Sequence, residues 1–258
     1  MYYGPKGGKF VSARHKLARA KWIIHSLEEG ANDWIEKNPA SVVHGIDPAD
    51  GVETVKLVAP MLPVEIPLSC GEALHHMRGA LDHAVSAMVE HITRLQDRRV
   101  NFPFHETKQG FESLRTHAEV GKRHKLFTCA PEIWDKIEHS YKPYRSDGGN
   151  AHLWAINKLN NADKHRLLIT TTSIVATRAD LARVGHHGNL AVLIGPGEMV
   201  LGKGLNLGTE SPSRMELILH EPSIMADTEL FTFLKATHSL VFDIVHELEG
   251  LFFEPADA

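Results

Sequence analysis

Cysteine is nearly missing from this chain: Cys70 and Cys129 are the only two in 258 residues. Two thiols cannot build a disulfide framework or a cysteine metal cluster, and both read as reduced core or near-core thiols of a cytosolic protein. Long apolar runs are missing too. No stretch approaches the ~18 apolar residues that span a bilayer. The opening Met1–Lys6 holds no apolar signal core, so a cytoplasmic location without membrane association is expected. Charge of one sign is not in excess either. The net charge is −4, which gives no global basic field for nucleic acid or membrane. Three local basic clusters remain as candidate phosphate contacts, Arg14–Lys21, Arg94–Arg99 and Lys122–Lys125. There is no Gly-x-Ser-x-Gly, P-loop, dinucleotide fingerprint or His-Glu-x-x-His. No cofactor is expected.

Histidine, by contrast, is plentiful, with 18 residues. It is the side chain whose charge changes near neutral pH, so the excess points toward acid–base or metal chemistry. The apolar pattern places these histidines on elements. Phe10, Ala13, Leu17, Ala20, Ile24, Leu27, Ala31 and Trp34 alternate spacings of three and four, which predicts a long bundle helix. Ser41–Ile46 and Val52–Ala59 are β-rich around Asp47-Pro48-Ala49-Asp50-Gly51, a hairpin signature. Ser69 followed by Glu72 is a capping-box pattern, and it predicts a helix over Ser69–Leu95. Leu74, Met77, Leu81, Ala84 and Met88 share its apolar face. A weak helix is expected over Thr107–Ala118. Another should begin at Pro131, with Ile133, Trp134 and Ile137 inward.

Asn150–Arg166 reads as the next main helix. Asn157, Asn160 and Asn161 are poor mid-helix residues, so their side chains should be hydrogen-bonded to something specific. Beyond Leu167 the texture becomes β-rich, with strands at Leu167–Ala176, Leu190–Ile194, Met199–Gly202 and Arg214–His220. Asp180–Gly188 and Asn206–Ser213 read as loops, and Gly195-Pro196-Gly197 as a turn. Asp227–Phe253 closes the chain as an amphipathic helix. The expected fold is α+β, a helical bundle packed against one antiparallel sheet of about five or six strands. A single domain, 1–258, is expected: helical over about 10–166 with the hairpin 41–59 inserted, β-rich over 167–220, then the helix 227–253.

Two polar runs lie on otherwise apolar helices. One is Leu74-His75-His76-Met77-Arg78-Gly79-Ala80-Leu81-Asp82-His83, the other Leu159-Asn160-Asn161-Ala162-Asp163-Lys164-His165-Arg166. Arg78 and Asp82 are four apart and form one edge; Glu72, His76 and His83 lie further round. Two readings follow from the residues. Bundle metal sites use inward carboxylates and imidazoles from separate helices, and Glu72, His76, His83 and His165 would supply such a set. A non-catalytic binding or assembly module would use the same groups as a buried network, Arg78 with Asp82 or Asp163 and His83 with Asn161, fixing helix register.

A third, catalytic reading rests on a resemblance, which implies acid–base work for His83 and stabilisation of phosphate charge for Arg78. Arg78-Gly79-Ala80-Leu81-Asp82-His83 is similar to the Arg-x(4–6)-His motif of the HEPN superfamily, nucleotide-binding helical bundles that include many metal-independent ribonucleases. The wider pair of runs resembles a group of uncharacterised bacterial and phage proteins with Leu-Arg-x-Ala-Leu-Asp-His and Asn-Asn-x-Asp-Lys-His-Arg segments. The HEPN resemblance implies RNA as partner, a homodimer that pairs two motifs, and Arg78, His83 and Asp82 as catalytic residues. Asn161, Asp163, Lys164, His165 and Arg166 would then line the substrate site. On an ideal helix Arg78 and His83 stand about 140° apart. They meet only through a distortion, for instance at Gly79, or across a dimer.

Overall fold

The structure is a computed structural model. It describes residues 8, 10–94, 100–115, 125–166, 170–176, 190–194, 197–203, 214–221 and 223–253. Residues 95–99 and 122–124 of two basic clusters lie outside these, as do 116–118 of the weak helix, 167–169, Gly195-Pro196 and the loops at 180–188 and 206–213.

Helix α1 spans Val11–Lys37, strands β1 and β2 Ser41–Ile46 and Glu53–Ala59, and helix α2 Glu65–Thr93. Short helices α3 (Lys108–Ser113), α4 (Lys125–Cys129) and α5 (Pro131–Lys136) follow, and α5 runs into a π-helical turn at Ile137–Tyr141. Then come α6 (Ala151–Asp163), β3 (Thr170–Ala176), β4 (Leu190–Ile194), β5 (Gly197–Lys203), β6 (Arg214–Glu221), β7 (Met225–Glu229) and α7 (Leu230–Phe253). The fold is α+β, a helical bundle with antiparallel sheet, and its described residues group into two compact units.

The helical unit draws on Met1–His25, Ser69–Leu167 and Phe233–Ala258. Its core follows the periodicity closely. Phe10, Ala13, Leu17, Ala20 and Ile24 of the α1 stripe are buried, and so are Leu74, Met77, Leu81, Ala84 and Met88 of α2. Burying each of the larger of these side chains contributes roughly 1.5–3 kcal/mol. The alanines let neighbouring helices approach. An aromatic cluster fills the part built by the short helices: Phe111 stacks on Trp134 at 5.4 Å and lies 5.9 Å from Tyr144.

Two helix starts differ from expectation. α2 begins at Glu65 rather than Ser69. Pro67 is accommodated because it falls in the first turn, where backbone N–H groups have no intrahelical partner. α7 begins at Leu230, and Asp227–Glu229, counted toward that helix in the sequence, belongs to the strand Met225–Glu229. Glu229 still serves the helix, its carboxylate accepting from the Phe231 and Thr232 N–H groups at 3.0 and 2.6 Å.

The second unit comprises Ser26–Leu68 and Leu168–Thr232. The expected single sheet is two: β1-β2-β5 and β4-β3-β6-β7, all pairs antiparallel. The first closes the hairpin, in register Ser41↔Val58 to Ile46↔Glu53. Its turn uses Gly51 at φ 69°, a left-handed conformation that costs glycine little. β5 then adds to β2, so the hairpin shares a sheet with a strand from the β-rich part of the chain. Among the described residues no helix is long and apolar enough to cross a membrane.

Two core histidines make the helical unit sensitive to acid. His238 lies with Nε2 3.1 Å from the Leu17 carbonyl. Burial lowers its pKa below the ordinary 6.5, against the opposite pull of that hydrogen bond. His152 stacks on Phe233, with Nδ1 2.8 Å from Thr237 Oγ1, and burial lowers its pKa as well. In the unfolded chain both rings take a proton near pH 6.5; in the folded chain they do so only at lower pH. Stability is therefore full above about pH 6.5 and is lost as pH falls toward the folded pKa values. We expect the urea midpoint to be lower at about pH 5.5 than at about pH 7.5. A midpoint that held or rose on acidification would contradict this.

Candidate functional site

Helix α2 carries two polar seams, each against a different neighbour in the helical unit. The first faces α6. Gly71, His75 and Arg78 are spaced as one side of a helix, and they meet Asp163, Asn160 and Asn157 in reverse order. A Cβ at Gly71 would overlap the Asp163 carboxylate, so only glycine lets that group sit there unmoved. His75 Nδ1 is 3.2 Å from Asn160 Oδ1. Arg78 Nε donates to Asn157 Oδ1 at 3.2 Å. This antiparallel ladder explains two of the asparagines that sit awkwardly in mid-helix. Desolvation raises the Asp163 pKa, with the neighbouring His75 pulling the other way.

Arg78 is held by three neighbours, Asn157, Asp82 and Phe104. Its guanidinium pairs with Asp82 one turn on and lies 4.4 Å from the centre of the Phe104 ring. Asp82 Oδ1 in turn accepts the Phe102 backbone N–H at 2.8 Å. The Arg78 side chain is only 13% exposed. It joins α2, α6 and the extended 100–105 segment, and so occupies a structural junction.

The second seam faces α1. Glu72, His76, Gly79 and His83 again repeat at helical spacing, one step round from the first set. Arg19 Nη2 donates to Glu72 Oε1 at 3.0 Å. Lys16 lies across Gly79, where an added Cβ would meet its Cε at 3.7 Å in ordinary contact. His76 Nε2 is 3.7 Å from Glu72, while its Nδ1 is buried and makes no hydrogen bond among the described residues. An open pocket of about 660 Å³ lies here, lined by Val11, Ser12, His15, Lys16, His76 and His83.

Both pocket imidazoles are held toward the neutral form. Burial lowers the pKa of His83, Lys16 lowers it further, and Asp82 opposes. Burial lowers that of His76, with Lys16 adding to the effect and Glu72 opposing it. No carboxylate among the described residues pairs with the Lys16 ammonium. A free cation beside two uncharged imidazoles is suited to an anion, and to moving protons near it.

The structure thus separates residues that the motif places together. His83 lines the pocket; Arg78 does not, because α2 keeps its regular form through Gly79 and points the two side chains to different neighbours. Asn161, Lys164, His165 and Arg166 are exposed at the end of α6, with Lys164 Nζ 3.4 Å from Asn161 Oδ1. Asp163 belongs to the Gly71 contact. These five are not among the pocket-lining residues. Glu72, His76, His83 and His165 do not form a ligand set either. The group of three ligand atoms within 4.8 Å of one another, among the described residues, is Asp135, Glu138 and His139. There Arg115 already bridges both carboxylates. Lys16, His15 and Ser12 were missed as site residues, although Lys16 and His15 lie in the basic Arg14–Lys21 cluster. Comparison of the chain with known protein families, with curated proteins and with solved structures finds no match.

Proposed function

We propose that the protein is a HEPN-like, metal-independent endoribonuclease whose reacting centre is the α1–α2 pocket. The observation that carries this reading is the convergence of His83, His76 and Lys16 on one open pocket, with burial lowering the pKa of both rings and no carboxylate among the described residues pairing with the ammonium. His83 takes the proton from a ribose 2′-hydroxyl as its oxygen attacks phosphorus. Lys16 stabilises the charge that gathers on the phosphorane oxygens. His76 delivers a proton to the 5′-oxygen as the P–O5′ bond breaks. The products are a 2′,3′-cyclic phosphate and a 5′-hydroxyl. Lys16 takes the part that the family resemblance gives to arginine, and Asp82 acts by holding Arg78. One chain supplies all these groups, so the homodimer that the resemblance implies is not required by this site.

The test is cleavage of RNA in excess chelator across a pH series, normalised to the folded fraction. One imidazole must be neutral and the other charged, so kcat/KM is greatest between their two pKa values. Both are lowered from 6.5, so activity is expected to peak below pH 6.5 and to fall as pH rises toward 8. Loss of cleavage in chelator, a rate still rising at about pH 8, or no cleavage at any pH would each sink the reading.

The α2–α6 ladder favours a second reading, a non-catalytic binding or assembly module in which these polar groups serve only to fix helix register. It requires that the pocket histidines be dispensable for any turnover.

A further inference from the structure

Beyond the pocket, α1 offers a feature that the cleavage chemistry does not use. Between Val11 and Leu27 the chain carries Arg14, Lys16, Arg19 and Lys21 and no acidic residue, in a protein whose net charge is −4. Lys16, Arg19 and Trp22 follow at steps of three and trace a slanting track that leads out of the pocket. Trp22 is 56% exposed, unusual for so large an apolar ring. Its ring is covered by the Arg19 guanidinium at 4.4 Å, and Arg19 is itself fixed by Glu72. The indole is thereby held in place with much of its surface still open. It stands about 9 Å along the helix axis and about 120° round it from Lys16, so a strand with a phosphate at Lys16 meets it after passing Arg19.

We infer that Trp22, braced by Arg19, is a stacking shelf for an unpaired base, so that the substrate class is single-stranded RNA, with a phosphate at Lys16 and a base further along the strand on Trp22. This rests on reading the pocket as a phosphodiester site. An aromatic face suits any unstacked base and gives affinity without sequence preference. A duplex hides its bases in the stack and cannot use the shelf. Arg14 and Arg19 are paired with Glu249 and Glu72, so Lys16 and Lys21, with no carboxylate partner among the described residues, supply the complementary charge for the backbone.

The probe is a fluorescein-labelled, fully 2′-O-methylated RNA octamer, which cannot be cleaved at the 2′-oxygen. Its anisotropy is read with the full chain at low salt in chelator. Trp22→Ala is expected to raise Kd about fivefold or more, while Trp22→Phe restores Kd to within about threefold of the parent by keeping an aromatic face. The same sequence as a duplex should compete poorly. On cleavable single-stranded RNA, Trp22→Ala should raise KM and leave kcat unchanged. An unchanged Kd in Trp22→Ala, equal competition by the duplex, or no binding by the parent protein overturns the proposal. The two ideas fail separately. Trp22-dependent binding without cleavage removes the ribonuclease and keeps the shelf; cleavage with a Trp22-independent KM does the reverse.

Discussion

Replacing His83 with alanine is expected to lower RNA cleavage by about 10²- to 10⁴-fold, the usual contribution of a positioned acid–base group. The melting temperature should move by no more than about 2 °C. Both halves follow from the surroundings of His83. The ring lines an open pocket, and among the described residues it makes no hydrogen bond or ion pair. Removing it leaves no buried partner stranded, and substitutions away from such features usually stay within about 0.5 kcal/mol. The change also deletes a group whose protonation is disfavoured in the fold, so acid stability should not suffer. Rates are compared with substrate in excess and below KM, because loss of the proton acceptor should lower kcat and kcat/KM together. Cleavage by His83→Ala at the parent rate would remove the catalytic reading and leave the module.

The division of α2 into an Arg78 edge and a Glu72/His76/His83 side is legible in the sequence, because it needs only 100° per residue. Which neighbour each side meets is not. That depends on the register of α1 and α6 along α2, set by contacts such as Gly71 with Asp163 and Gly79 with Lys16, more than fifty residues apart in the chain. The core was legible for the same reason as the faces: the alternating three-and-four stripe of α1 has one orientation that buries it. The six expected strands were placed by their β-branched content, but their division into two sheets was not. Pairing β2 with β5 joins residues well over a hundred positions apart, and no local pattern encodes that. Asp227–Glu229 was assigned to the helix because acidic residues before an apolar run look like a helix N-terminus. Glu229 does have that role, yet from the end of a strand.

Lys16 shows a different limit. The basic cluster Arg14–Lys21 was visible as a candidate phosphate contact, and the histidines of α2 as candidate acid–base groups. Joining them requires that α1 lie antiparallel along α2, with Arg19 at Glu72 and Lys16 at Gly79. The Arg-x(4)-His spacing pointed instead to an arginine on the same helix. In the fold that arginine has another use.

That use gives the second large effect. Arg78→Ala is expected to destabilise the helical unit by about 3 kcal/mol. Removing one partner of a buried pair costs about 3–5 kcal/mol, and partial exposure, 13% for Arg78 and 25% for Asp82, trims the figure. The guanidinium's contact with Phe104 adds about 0.5–1 kcal/mol. At roughly 2–4 °C per kcal/mol for a chain of this size, melting should fall by about 6–12 °C. Lysine is a poor replacement, because a point charge cannot meet Asp82, Asn157 and the Phe104 face at once. Removing both charges, as in Arg78→Met with Asp82→Leu, should cost less than Arg78→Ala and Asp82→Ala summed, since neither ion is then left alone. Per folded molecule, Arg78→Ala should retain cleavage within about tenfold of the parent. The opposite pattern, unaltered melting with cleavage lost by 10³-fold or more, would return Arg78 to the reacting centre. Because its own chain ties it to Asp82 and Asn157, such a result would demand a second subunit to bring His83 to it. The His83 and Arg78 variants, measured side by side for melting and turnover, therefore separate a one-chain site from a two-chain site.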